Sequence, residues 1–222
     1  MKPLLKIMAI LFILFVSIFL ILNATGLITV EKIELWLMAA QRADPVLVAP
    51  IVALLLFFDL FISVPTFATI ALGGYFLGAL VGTVTGILGL LMTGFGGYGI
   101  SRRYGDRLIK FLIKDPEKRT DAVETFREHG APVILFSRAV PMLPEVSACL
   151  AGMTRMPFLK FFALWLGSCV PYVIIAAYAG SVSTFEDPRA AIYAAMGLWL
   201  CLSLVWLIRR RIHRRSKVAR RD

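Results

Sequence analysis

The sequence predicts an all-α integral membrane protein with about four full transmembrane helices and two facing re-entrant hairpins in an inverted repeat, with both termini inside. Of the 222 residues, 59% are hydrophobic and the mean hydropathy is +0.81, values typical of membrane proteins. Two apolar segments are interrupted by charges and prolines, which predicts hairpins rather than plain spans. No polar segment is long enough for a separate soluble domain, so residues 1–222 form a single membrane domain.

The chain begins with an apolar run that follows Lys2 and Lys6. This run is long for a signal peptide and is followed by a poor cleavage site, so we predict that residues 4–22 form a retained first span. Residues 23–45 predict a polar connector with a short amphipathic helix. An interfacial position would suit Trp36 at the headgroup boundary, but a loop helix with no further role is the preferred interpretation.

Residues 46–80 predict the first re-entrant hairpin. The apolar run is continuous except for Asp59, breaks at Pro65 and then resumes. Broken backbone at membrane depth persists only where protein covers it or where it lines a polar cavity. Gly73 and Gly74 are expected to act as hinges in the resumed segment.

A glycine-rich span at 82–101 and a polar connector at 102–130 come next. The glycines of the span would let neighbouring helices approach closely. The connector interleaves apolar and basic side chains, which predicts a cytoplasmic amphipathic segment. It would either lie on an anionic membrane surface or serve as a plain charged link.

The second hairpin follows the connector. Two prolines in its middle each remove a backbone donor, so a helix that continues through both is not expected. We predict a half-helix from Pro132 to about Val140. A break over Pro141–Pro144 follows, and then a second half-helix that ends at Gly152. The alternative is one kinked spanning helix with Arg138 snorkelling to the surface.

The last two predicted spans are residues 158–180 and 190–208, and residues 209–222 form a basic cytoplasmic tail. With the N-terminus inside, the inner segments hold 18 Lys and Arg residues, whereas the outer segments hold 3. This agrees with the positive-inside rule and predicts the orientation. Each hairpin returns to its own side, so the count does not measure how deep the hairpins reach.

An internal sequence repeat relates the two predicted hairpins. A shift of 79 positions places residues 54–74 on residues 133–153 with the same order of charge, proline and glycine. Paired broken segments in corresponding halves are typical of transporters whose binding site lies at the repeat interface. The matched positions are Asp59 with Arg138, Pro65 with Pro144, and Gly73 with Gly152.

Three charged residues lie in apolar sequence at membrane depth: Asp59, Arg138 and Glu145. Each is costly there unless it is paired or hydrated, so each is a candidate functional residue. Arg138 suits a lipid phosphate with Glu145 beside the headgroup, and Asp59 suits proton or ion coupling. The alternatives are a structural ion pair between Asp59 and Arg138 and a capping role for Glu145. The predicted hairpin breaks and hinges are Pro65, Gly73, Gly74, Pro141, Pro144 and Gly152.

The remaining chemistry of the sequence indicates no enzyme, metal site or cofactor. The three cysteines lie in apolar runs, and the two histidines have no ligand-like company. The net charge of +10 is concentrated beside membrane segments, so it does not indicate nucleic-acid binding. The expected partners are membrane lipids, with anionic headgroups favoured, and homo-oligomer formation is left open.

Two separated blocks of sequence carry a family resemblance. The first contains Pro65 and the run GGYFLG at 73–78. The second contains FSRAVPMLP at 136–144, Ala151-Gly152-Met153, Phe161-Phe162, GSCVP at 167–171 and YAGS at 178–181. Together they resemble the DedA superfamily over roughly residues 45–182, and most closely its VTT-domain or SNARE-associated Golgi protein branch.

The resemblance implies two facing re-entrant hairpins and a role in moving lipids across a bilayer. Bacterial DedA proteins are associated with recycling of polyprenyl-phosphate carrier lipid and with envelope maintenance that depends on the proton-motive force. Eukaryotic relatives are phospholipid scramblases. The DedA pattern carries a second arginine where this chain has Pro144, and Asp59 only approximates its acidic residue. These departures weigh more against polyprenyl phosphate than against lipid translocation in general.

The leading functional hypothesis is therefore a multi-pass protein of the cell membrane that transports or scrambles phospholipid or polyprenyl-phosphate headgroups through a groove between the hairpins. One alternative is a proton- or ion-coupled transporter of a small solute that uses the same hairpins. A second alternative is a scaffold without transport activity, which would dock partners through residues 102–130 and the basic tail.

Overall fold

The computed structural model describes residues 30–183 except 63, 113–114 and 141, together with short stretches between 9 and 21 and between 193 and 197. Within this part every regular element is helical. The predicted spans 4–22 and 190–208 lie outside the described residues apart from those stretches, and the predicted tail 209–222 lies wholly outside them. The helices are α1 (Val30–Ala43), α2 (Val48–Ile62), α3 (Thr66–Leu112), α4 (Pro116–Leu135), α5 (Leu143–Met153) and α6 (Phe158–Val182), with 3-10 turns at Pro45–Leu47 and Ser137–Ala139.

Two of the described helices are long and apolar enough to cross a membrane: Thr66–Gly105 within α3, and α6. They contain the predicted spans 82–101 and 158–180. Large apolar side chains on α2, α3 and α6 are exposed, as expected of a surface that faces lipid. These include Leu54, Phe58, Leu80, Leu88, Met92, Ile174 and Tyr178. The chain is therefore a helical membrane protein, while the total number of spans stays a prediction.

The first interrupted segment has its helix break beside Pro65, where the sequence predicts one: α2 ends at Ile62 and α3 begins at Thr66. A second break follows at Gly78, whose backbone has φ 79° and ψ 168°. Side chains are rarely tolerated in that conformation, so glycine suits the position. The break divides α3 into a first arm (66–77) and a second arm (79–112).

The predicted connector 102–130 is shared between two long helices. Residues 102–112 continue the second arm of α3, and α4 begins at Pro116. The Asp115 side chain accepts a hydrogen bond from the Glu117 amide at 3.1 Å and caps α4. Because proline is well suited to the first turn of a helix, Pro116 marks this start.

The second interrupted segment differs in detail from the prediction. The expected half-helix from Pro132 to about Val140 is the last turn of α4, which continues through Pro132 and ends at Leu135. Proline lacks only the amide donor, and its carbonyl still accepts from the Phe136 amide at 3.0 Å, so helical hydrogen bonding continues beyond Pro132. Helix α5 resumes at Leu143, after Met142 in a left-handed conformation.

In the described chain, a helical segment from each half packs on a long helix of the other half. The first arm of α3 packs on α6 so closely that a Cβ at Gly74 would overlap the Ala177 carbonyl. Helix α5 packs on the second arm of α3, where a Cβ at Gly152 would overlap the Tyr98 carbonyl. A shift of 79 positions takes Gly73 to Gly152 and Tyr98 to Ala177. The close contact of the first half is therefore made one residue beyond the position that the shift pairs with Gly152, by Gly74 and not by Gly73.

Candidate functional site

Asp59 lies near the end of α2, beside the first break. Only 3% of its surface is exposed. Thr66, the first residue of α3, donates its hydroxyl to Asp59 Oδ2 at 2.7 Å, so this bond joins the two sides of the break. A carboxylate buried to this extent is costly unless polar groups surround it. The break therefore provides Asp59 with a partner that sequence reasoning missed.

Arg138 lies in the 3-10 turn Ser137–Ala139, between α4 and α5. Its guanidinium carbon lies over the rings of Trp165 and Tyr172, 5.2 Å and 5.3 Å from their centroids. Its Nη2 donates to the Cys169 sulfur at 3.2 Å. These three residues follow helical spacing on one face of α6, which holds the guanidinium in place.

Trp165 is itself fixed, because its Nε1 donates to the Leu90 carbonyl of α3 at 2.9 Å. Phe67 of the first arm makes an edge contact with Tyr172 at 6.1 Å between ring centroids. The residues that hold Arg138 are thus anchored to both arms of α3. Their spacing on α6 is visible in the sequence, but such a stripe of apolar residues is equally typical of a helix core.

Glu145 lies in the first turn of α5 and is 6% exposed. The positive end of the helix dipole favours a carboxylate at this position. Glu145 and Arg138 both act electrostatically on Asp59, and Arg138 acts on Glu145. The structure therefore brings together all three charged residues that the sequence singled out.

The three charged residues nevertheless do not form close ion pairs within the described chain. No carboxylate oxygen lies within 4.0 Å of the Arg138 guanidinium there. Among the described residues, three buried polar atoms have no hydrogen-bond partner: Arg138 Nε, Glu145 Oε2 and Ser168 Oγ. Buried polar atoms are nearly always paired, so the site has unused capacity for both a donor and an acceptor group.

The predicted breaks and hinges occupy different kinds of position. Pro65 immediately precedes α3, and its carbonyl accepts from the Thr69 amide at 3.0 Å. Pro144 lies in the first turn of α5, where its missing donor leaves no intrahelical bond unmade. Gly73, Gly74 and Gly152 lie inside helices at close contacts, and the backbone break of α3 is at Gly78 instead. Pro141 lies outside the described residues.

Metal ligands do not cluster in the described part of the chain, where no group of three or more His, Cys, Asp or Glu could hold an ion. Cys149 and Cys169 are free thiols. The chemistry that the site offers is therefore that of one guanidinium and two carboxylates: phosphate or carboxylate recognition, and proton exchange.

Comparison with known proteins places this geometry in context. The family model described as "VTT domain" matches residues 64–182, which contain both α3 and α5. Undecaprenyl phosphate transporter A of Bacillus subtilis strain 168 is 30% identical over 127 residues, which cover 53% of this chain and 64% of that protein. An uncharacterized membrane protein of Synechocystis sp. is 28% identical over 139 residues, which cover 60% of this chain and 61% of that protein.

The chain thus matches less than two thirds of the length of either relative. No solved structure matches it.

Proposed function

The chain belongs to the VTT-domain family of DedA-type membrane proteins, and from this premise we propose that it carries phosphate-bearing lipid headgroups across the cell membrane. The headgroup would pass between two re-entrant hairpins, the first made of α2 with the first arm of α3 and the second of the end of α4 with α5. Arg138 would bind the phosphate with Glu145 beside it, and Asp59 would couple the movement to protons.

The observation that carries this proposal is the unpaired guanidinium of Arg138. It is held by three side chains of α6, yet its Nε has no partner and no carboxylate lies within 4.0 Å in the described chain. A partly buried cation whose Nε has no partner is unfavourable until an anion reaches it. A phosphate oxygen would supply the missing acceptor in the planar geometry that arginine recognises well.

The arrangement of the two hairpins supports an inverted repeat. By the charge distribution, the first would enter from outside and the second from inside. The first arm of α3 packs on α6 and α5 packs on the second arm of α3, at positions that correspond under the shift of 79 to within one residue. In such proteins the substrate site lies where the repeats meet, and here that is where Asp59, Arg138 and Glu145 gather.

Charge balance supports proton coupling. With both carboxylates ionised, the three side chains are net negative, which opposes the entry of an anionic phosphate. Protons on Asp59 and Glu145 would leave the positive Arg138 to face the phosphate alone. Headgroup binding should therefore be favoured when protons are abundant on the side from which the lipid loads.

The name of the Bacillus relative favours polyprenyl phosphate as the lipid. A phosphomonoester presents more unsubstituted oxygens to Arg138 than a phosphodiester does, and it carries no second polar group that must fit between the hairpins. We therefore propose that polyprenyl phosphate is moved faster than phospholipid.

The proposal is tested with full-length protein in liposomes that contain a labelled polyprenyl phosphate or a labelled phospholipid, with and without a proton gradient. The headgroups left accessible to a membrane-impermeant reagent are followed over time. We expect rapid polyprenyl-phosphate movement that quickens when the loading side is acidified. If correctly inserted protein moves neither lipid, the proposal is wrong, and a solute transporter or a scaffold becomes the better hypothesis.

Asp59→Asn is expected to remove the response to the proton gradient. The asparagine side chain still accepts the Thr66 hydroxyl bond, so the break keeps its geometry, but it cannot carry a proton. One coupled proton changes a rate by at most about tenfold per pH unit, and this dependence should become flat in the variant. The measurement is the translocation rate at a series of pH values on the loading side.

The matched control is Asp121→Asn on the exposed surface of α4, which should keep the wild-type pH profile. A wild-type slope in Asp59→Asn would show that Asp59 does not couple protons.

A further inference from the structure

A second set of guanidiniums lies at the opposite end of α5 from Glu145, around the turn 154–157 that joins α5 to α6. Arg127 of α4 donates its Nε to the Thr154 carbonyl at 3.4 Å. Tyr98 of α3 donates its hydroxyl to the Met156 carbonyl at 2.6 Å. Arg102 in turn donates to the Tyr98 hydroxyl, and its guanidinium carbon lies 5.6 Å from the centroid of the Tyr98 ring. Two helices thus each anchor one arginine to the same short turn.

The turn itself presents a third arginine. Arg155 has φ 53°, a left-handed conformation that is uncommon for residues other than glycine, asparagine and aspartate. Such strain persists only where the surrounding structure supports it, and it often marks functional positions. Its side chain is exposed, as are those of Arg102 and Arg127.

The electrostatics of this arginine cluster (Arg102, Arg127 and Arg155) favour an anion. Within the described chain neither Arg102 nor Arg127 forms an ion pair with a carboxylate. Each is instead held through a neutral hydroxyl or carbonyl, which orients its guanidinium without neutralising its charge. The charge distribution predicts that this surface faces inside, where anionic lipids attract basic groups.

The apolar rim of the cluster identifies the source of the anion. Phe158 and Leu159, which follow the turn directly, are 44% and 77% exposed. Side chains of this kind lie in hydrocarbon when α6 crosses the membrane, so the cluster lies at the boundary between headgroups and acyl chains. Binding of a dissolved phosphate would not require apolar side chains beside the arginines. The phosphate of a membrane lipid, by contrast, lies at this boundary because its acyl chains lie in the hydrocarbon.

We propose that the arginine cluster is a docking site for the phosphate headgroup of a lipid in the leaflet that surrounds it. The site is separate from Arg138, and its occupation does not require that the headgroup move on between the hairpins. Binding at the cluster and transport through the hairpins are therefore distinguishable by experiment.

The test titrates full-length protein in neutral detergent micelles with dihexanoyl phosphatidate and counts the retained lipid by native mass spectrometry. Replacing Arg102 with Gln, Arg127 with Gln and Arg155 with Asn should weaken binding by about tenfold or more, because each guanidinium supplies charge-assisted hydrogen bonds. Asparagine is chosen because it tolerates the left-handed backbone. Thermal unfolding of the triple variant checks that the fold is kept.

The matched control removes three other positive charges from the exposed surface of α3, the helix that carries Arg102. The substitutions are Arg103→Gln, Arg107→Gln and Lys110→Gln. The control variant should keep wild-type affinity. Equal losses in both triple variants would reduce the cluster to general surface charge. Equal binding of inorganic phosphate would contradict a lipid site. Absence of binding to the wild-type protein would overturn the proposal outright.

Discussion

Arg138→Ala is expected to lower the rate of headgroup translocation by about 100-fold, because it removes the partly buried guanidinium that is proposed to bind the headgroup between the two hairpins. Truncating one partner of a buried, hydrogen-bonded charge pair typically costs about 2–5 kcal/mol, and each 1.4 kcal/mol corresponds to about a tenfold change. Here the truncated partner is Arg138, and the phosphate of the passing lipid is left without its cation. The measurement is headgroup accessibility in liposomes, with wild-type protein beside the variant.

Arg138→Lys separates charge from geometry in the same assay. Lysine keeps the positive charge but not the planar fork or the stacking on Trp165 and Tyr172, so transport should be reduced without being abolished. Arg103→Ala, at an exposed position on α3, is the control and should transport normally. The contradicting outcome is an Arg138→Ala variant that inserts into the membrane, has the wild-type unfolding temperature and transports at the wild-type rate. Arg138 would then have no role in binding the headgroup.

Arg138 could be singled out from the sequence as a candidate, but the way it is held could not be predicted. A charge in apolar sequence at membrane depth is conspicuous because hydrocarbon penalises it so strongly. Its partner Cys169 is 31 positions away and lies on a helix that reads as ordinary apolar sequence. Trp165, Cys169 and Tyr172 become significant only when folding places a guanidinium against them.

The sequence likewise predicts where prolines and glycines disturb a helix, but not which structural role each of them has. Proline lacks a backbone donor wherever it lies, so the sequence predicts that a helix is disturbed near Pro132 and Pro144 without saying how. The structure continues α4 through Pro132 and starts α5 with Pro144 in its first turn. In the run GGYFLG, Gly74 serves close packing and Gly78 serves a backbone turn, and both roles are available to any residue without a Cβ.

The family resemblance is confirmed, whereas the mechanism that it implies stays a prediction. Membership in the VTT-domain family is confirmed by the match over residues 64–182, which spans the two blocks that carried the resemblance. Re-entrant depth, the roles of Asp59 and Glu145 and the identity of the lipid stay predictions. Family motifs mark positions, whereas each role depends on where the bilayer lies and on what enters the site.

Gly180→Ala is expected to destabilise the protein far more than the size of one methyl group suggests. A Cβ at Gly180 would fall on the carbonyl of Ala71, so α6 and the first arm of α3 touch through their backbones. Backbone cannot move aside as a flexible side chain can, and the helices must separate. Overpacking of this kind costs about 1–3 kcal/mol, and membrane helices depend on such close approach because lipid supplies no hydrophobic force between them.

Gly99→Ala is the matched control, since Gly99 also lies within a helix and a Cβ there would meet nothing within 4 Å. Alanine is favoured over glycine in a helix by about 1 kcal/mol, so this variant should unfold at or above the wild-type temperature. Thermal unfolding in detergent, with transport in liposomes as the second readout, compares the two variants. Equal unfolding temperatures would mean that the first arm and α6 do not meet closely, and the site would then lose the support that Tyr172 receives from Phe67. A fall confined to Gly180→Ala, with transport lost in parallel, would show that Arg138 depends on this backbone contact, because the face of α6 that holds it is positioned there.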